Sequence, residues 1–245
     1  CIGYNSGTAM TSSTANTIIG SSSGVLMTTS TGNTIIGASS GTAISGTTGT
    51  SNTNNTIIGY DAGNSLDSST IDQATQNVII GTKAGNSGTN NLATGSNCII
   101  IGYNANSSAA DVNDEITLGN SSVTSLRCAD TTIASLSDRR DKTDIIDSTY
   151  GTDFINTLRP VQFTWATREK VATKDGKKRV GFIAQDLQEA MPNGENDILD
   201  LVYDVNPERI EAKYGNLVPI LTKAIQELSA ANTALLARVV ALESA

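Results

Sequence analysis

The chain has 245 residues, a formal net charge of −8 and no histidine. That acidity speaks against a nucleic-acid binder, which needs a basic face to neutralise phosphates. The absence of histidine excludes His-based catalysis and His-ligated metals. No apolar run is long enough to cross a bilayer, so no membrane insertion is expected, and no signal peptide heads the sequence. Because the sequence opens at Cys1 rather than Met, it reads as a fragment with a preceding part. Cys1, Cys98 and Cys128 have no metal-like spacing and their odd number suggests no internal disulfide framework, so no cofactor is expected.

The averages conceal a division near residue 136. Residues 1–136 hold two basic residues (Lys83, Arg127), seven acidic ones and three of the ten aromatics. Residues 137–245 hold fourteen basic and seventeen acidic residues and the other seven aromatics. In the first part a motif recurs, as Asn16-Thr-Ile-Ile-Gly20, Asn33-Thr-Ile-Ile-Gly37, Asn55-Thr-Ile-Ile-Gly59, Asn77-Val-Ile-Ile-Gly81 and Asn97-Cys-Ile-Ile-Ile-Gly102. Degenerate copies stand at Cys1-Ile-Gly3 and Glu115-Ile-Thr-Leu-Gly119. The closing glycines at 3, 20, 37, 59, 81, 102 and 119 are 17 to 22 residues apart, a solenoid period.

Each repeat predicts one short β-branched strand closed by a glycine at a turn, with Ser, Thr, Asn and Gly linkers between strands. One strand cannot bury its own face, so neighbouring repeats must stack. Since this part is aromatic-poor and thin, three chains packing their isoleucines about a common axis are expected to supply the core. Separate β-rolls and intertwined chains both remain open. Tyr4, Tyr60 and Tyr103 follow repeat glycines and read as packing residues with wet hydroxyls, or alternatively as a ligand-stacking row.

The second part begins with the charged, turn-like stretch Leu136–Ile145. A short helix is expected over 150–159, ended by Arg159-Pro160. Strands follow at Val161–Trp165 and near Arg179–Ile183, joined by a hairpin turn at Asp175-Gly176. Ala184–Ala190 reads as a helix stopped by Pro192. The last helix, about Leu217 to Glu243, carries Leu221, Ile225, Leu228, Asn232, Leu235, Val239 and Leu242 at alternating steps of 4 and 3, a coiled-coil seam. Ile225, Asn232 and Val239 fall at a and the leucines at d. That pattern alone leans towards two strands, and Asn232 trades stability for register.

Three blocks in this part resemble the intramolecular chaperone domain of phage tail spikes and neck appendages, the S74 peptidase family. They are Ser137-Asp-Arg-Arg-Asp-Lys142, Gly181-Phe-Ile-Ala-Gln185 and Ala224-Ile-Gln-Glu-Leu228, and together they span 137 to about 243. The resemblance implies a homotrimer that helps the upstream fibre fold and then frees itself by cutting Leu136–Ser137. It gives Ser137 the nucleophile role and Lys142 the base role. Independently, a serine without a histidine needs another base, and a desolvated lysine can serve. One departure is Asp141, where the family commonly has an apolar residue; a carboxylate there favours charged Lys142 and slows cutting.

These readings converge on a viral tail fibre or appendage, carried in the virion and meeting a host cell-surface receptor. It would be a mainly β shaft over 1–136 and a small α+β chaperone over 137–245, acting once per chain as a serine autoprotease. The alternative is a trimeric cellular surface adhesin with a retained, uncleaved trimerisation domain. The shaft has no carboxylate cluster suited to glycan degradation.

Overall fold

A computed structural model describes residues 1–47, 50–66, 74–88, 90–130, 133–166, 174–191 and 196–244. It divides into two compact units, Cys1–Thr132 and Ile133–Ala245.

The first unit is a β-solenoid. Strands β1 (Thr17–Ile19), β2 (Thr34–Ile36), β5 (Thr56–Ile58), β6 (Val78–Ile80), β7 (Ile99–Ile101) and β8 (Ile116–Leu118) stack in chain order as one parallel sheet. A bridge from Ile2 to Ile19 extends it by a row. The register matches every motif to the next, as in Ile35 against Ile57 and Ile57 against Ile79. Alternation along a strand sends the middle residue inward, so Ile18, Ile35, Ile57, Ile79 and Ile100 are buried. Met27, Ile44, Leu66 and Leu92 from the linkers complete that core. The expectation that three chains are needed to make a core is therefore corrected: a single chain closes it, because the Ser/Thr/Asn/Gly linkers wrap round and contribute buried apolar residues of their own. Each chain forms its own roll.

Two columns hold the coils in register. The motif asparagines form a ladder, buried at Asn33, Asn55 and Asn77, each Oδ1 accepting from the backbone N–H one coil on: Asn16 from Asn33, Asn33 from Asn55, Asn55 from Asn77 and Asn77 from Cys98. The fifth repeat thus enters the ladder at Cys98 and not at Asn97, because its extra isoleucine shifts the motif by one. The closing glycines form the second column. From Gly3 to Gly81 their φ values lie between 132° and 141°, and an added Cβ would sit 2.3 to 2.6 Å from the next glycine's carbonyl oxygen. Only a residue without a side chain permits that approach. The longer spacing from Gly37 to Gly59 includes the antiparallel pair β3 (Gly46–Thr47) and β4 (Thr50–Ser51). Tyr4, Tyr60 and Tyr103 are exposed.

The second unit contains α1 (Thr152–Ile155), the antiparallel pair β9 (Val161–Ala166) and β10 (Lys174–Gly181), and α2 (Ala184–Ala190). After these come α3 (Asn196–Leu199), the pair β11 (Val202–Tyr203) and β12 (Glu211–Ala212), and α4 (Leu217–Glu243). Phe154, Leu187, Met191, Leu199, Leu201, Leu217 and Ile220 pack into one small core. The helix expected over 150–159 is shorter, since bonds from Thr157 and Leu158 to carbonyls three residues back tighten its end. Asp175-Gly176 does not turn the hairpin. It lies within β10 where the register shifts between Lys174 and Lys178, and the positive φ of Gly176 serves a bulge. Pro192 lies outside the described residues.

Candidate active site

Residues 133–149 are exposed throughout and, among the described residues, their one regular element is a single 3-10 turn at Arg139–Asp141. The sequence folds this turn locally. Asp138 is extended, and its carboxylate accepts from the backbone N–H of Arg140 at 2.9 Å, as an N-cap does. The Arg140 guanidinium folds back onto the same carboxylate, with Nη2–Oδ2 at 2.6 Å and Nε–Oδ1 at 3.0 Å. These bonds hold the Asp138 carboxyl below the usual aspartate range and push the guanidinium up. The turn closes with the Lys142 N–H donating to the Arg139 carbonyl at 3.2 Å.

Closing the turn brings the two ends of the motif together. Lys142 Nζ donates to Ser137 Oγ at 2.5 Å, and Leu136, on the other side of the Leu136–Ser137 bond, is wholly exposed. Both side chains of the pair are open to water, and among the described residues neither has another hydrogen-bonding partner. Asp141 makes no ion pair with Lys142 among the described residues, so any effect it has on the lysine acts through space. The arrangement has a nucleophile, a base within reach and an accessible bond. It lacks the exclusion of water that a lysine base requires.

The other two sequence blocks brace the unit that follows the turn. Tyr214 Oη accepts from the Phe182 N–H at 3.0 Å and donates to the Phe182 carbonyl at 3.2 Å, while the two rings meet edge to face. An added Cβ at Gly181 would lie 2.7 Å from that hydroxyl, which accounts for the glycine at the head of the block. From α4, the Glu227 carboxylate accepts from the Thr152 N–H at 2.8 Å, and Ala224 O accepts from the Thr152 hydroxyl at 3.3 Å. Glu227 therefore caps α1 from outside, and the Thr152 N–H draws its carboxyl below the usual glutamate range.

A family model described as Peptidase_S74, chaperone of endosialidase, matches residues 137–194. The chain carries an S74 chaperone domain. The match opens on Ser137, the serine of the turn, and supports a chaperone and trimerisation role for this part of the chain. It ends before Tyr214 and α4, the elements that brace the S74 segment. No curated protein and no solved structure matches.

Of the residues singled out in the sequence, the structure brings Lys142 and Ser137 into contact, with Leu136 next to Ser137 in the chain. Sequence reasoning missed the Asp138–Arg140 clasp as the reason for their closeness, and it missed Thr152 and Tyr214 altogether. Thr152 and Glu227 are 75 positions apart, and no spacing rule joins them. Among the described residues no cluster suits a metal ion, and no helix is long and apolar enough to cross a membrane.

Proposed function

We propose that this chain is a segment of a viral tail fibre or appendage whose S74 domain assembles three copies and then severs itself at Leu136–Ser137. The contact between Lys142 Nζ and Ser137 Oγ beside an exposed Leu136 carries the reading. Neutral Lys142 takes the Ser137 hydroxyl proton, and Oγ attacks the Leu136 carbonyl carbon. The C–N bond breaks, the nitrogen accepts the proton from Lys142, and an ester links Leu136 to Oγ. Water then cleaves the ester, leaving a carboxylate on Leu136 and a free amine on Ser137. The nucleophile belongs to the product, so each chain reacts once.

The exposed pair supports cutting only after assembly. Packing of neighbouring copies against the turn would remove water and fix the attack geometry. The seam of α4 supports the trimer. Leu217 and Ile220 are buried in their own unit, whereas Leu221, Ile225, Leu228, Leu235, Val239 and Leu242 are exposed along a helix of 27 residues. A helix with that apolar row open to water is suited to bundling with copies of itself.

The test is a timed gel of freshly refolded protein. Wild type should convert to two fragments, while Ser137→Ala and Lys142→Ala should stay intact and trimeric. Cutting at the same bond in Ser137→Ala would end the serine mechanism. A stable wild-type monomer by light scattering would end the assembly reading.

A further inference from the structure

The paired isoleucines of each repeat have opposite fates. The first points into the core, and the second points out. The outward column runs Ile19, Ile36, Ile58, Ile80, Ile101 and Leu118 through six paired rows, none of them buried. Its neighbour two residues back runs Thr17, Thr34, Thr56, Val78, Ile99 and Ile116, growing more apolar along the stack. On the other side lies the glycine column, bare of side chains, and beyond it Tyr60 and Tyr103 alternate with small or polar residues. These four columns contain no charged residue; the first charges on that side, Asp61 and Lys83, stand one column further out.

We infer that this outward face is where copies of the shaft meet one another, in parallel and in register. This rests on the trimer reading above and adds which residues would form the shaft contact. A face repeating one residue per coil, at a rise of about 4.8 Å, is matched row for row by a surface with the same rise. Another copy, aligned in parallel, has one. Each copy carries a net charge of −8, so copies repel in general. An uncharged face is where they can approach without that cost. The size also fits. Six rows of about 4.8 Å and four residue steps of about 3.3 Å give a patch on the order of 400 Å². A stable interface needs roughly 800 Å² per partner. The shaft face alone is therefore a weak contact, formed while the S74 domain holds the copies together and raises their local concentration.

Cysteine cross-linking decides the matter in the full chain with Ser137→Ala to keep it whole. Cys1 and Cys128 are exposed and are replaced by serine, while buried Cys98 stays. Ile58→Cys, Asn232→Cys on α4 and Thr11→Cys on an exposed linker are each treated with an oxidant and with a short bis-maleimide. The inference predicts cross-linked copies for Ile58→Cys, at least tenfold above Thr11→Cys, with Asn232→Cys also linked. Linking at Asn232 without linking at Ile58 overturns the shaft face and leaves the trimer intact. Equal linking at Ile58 and Thr11 also overturns it. A monomer unlinked at every site removes the trimer reading and this inference with it.

Discussion

Replacing Asn55 with alanine should cost the shaft about 2–6 kcal/mol, the sum of two buried groups left without partners. Asn55 lies fully buried in the middle of the ladder. Its Nδ2 donates to Ala74 O at 2.9 Å and to Asn33 Oδ1 at 3.1 Å, and its Oδ1 accepts from Asn77 N at 3.0 Å. Asn33 Oδ1 keeps a partner in the variant, because the Asn55 N–H still donates to it at 3.0 Å. Ala74 O and Asn77 N lose theirs, at about 1–3 kcal/mol each. A water entering the vacated space would hold the loss to the lower end. Asn16→Ala provides the internal comparison. It also bonds a carbonyl and a backbone N–H one coil on, but it is only partly buried, so solvent can replace it and the loss should be under about 1 kcal/mol. Denaturant unfolding of the Ser137→Ala full chain, followed by far-UV circular dichroism, reads both. A loss below about 0.5 kcal/mol for Asn55→Ala, or equal losses at the two positions, would refute the ladder as a source of stability.

The glycine column should be equally intolerant: Gly59→Ala puts a Cβ 2.4 Å from Gly81 O at a φ of 141° and should yield aggregated shaft, whereas Gly88→Ala, with open space around it, should express and unfold like wild type. Glu227 has its carboxyl lowered when folded, so its contribution is present above the ordinary glutamate range and is lost as pH falls through its depressed value. Glu227→Gln should remove that part of the acid sensitivity, seen as a flatter fall in melting temperature between pH 5 and about pH 3. Asp141→Leu should speed cutting in the timed gel, and a slower reaction would show that the carboxylate assists.

Much of the shaft was legible because its two determinants are local and repeated. The Ile-Ile pair between polar flanks declares a strand, and the spaced glycines declare a coil. What could not be read was the closure of the coil, since Met27, Ile44, Leu66 and Leu92 fall in linkers without periodicity and enter the core only once the chain wraps. Asn97 misled for a related reason: the repeat was aligned by letters, and the hydrogen-bond register aligned it at Cys98. At the candidate site Ser137 and Lys142 were singled out by resemblance to the S74 motif, and one local turn brings their side chains into contact. The Tyr214 and Glu227 braces were not, because they join residues brought together only by the tertiary fold. The hairpin turn was misplaced because a dipeptide that favours positive φ serves a bulge as readily as a turn.

The central claim is that the chain cuts itself once assembled, and the intact mass of refolded protein over time tests it most directly. The account predicts that trimeric wild type gives fragments ending at Leu136 and beginning at Ser137, 136 and 109 residues long, while denatured chains and Ser137→Ala stay at 245. A wild-type trimer that keeps its full mass under every refolding condition would contradict it and leave the S74 domain a retained trimeriser.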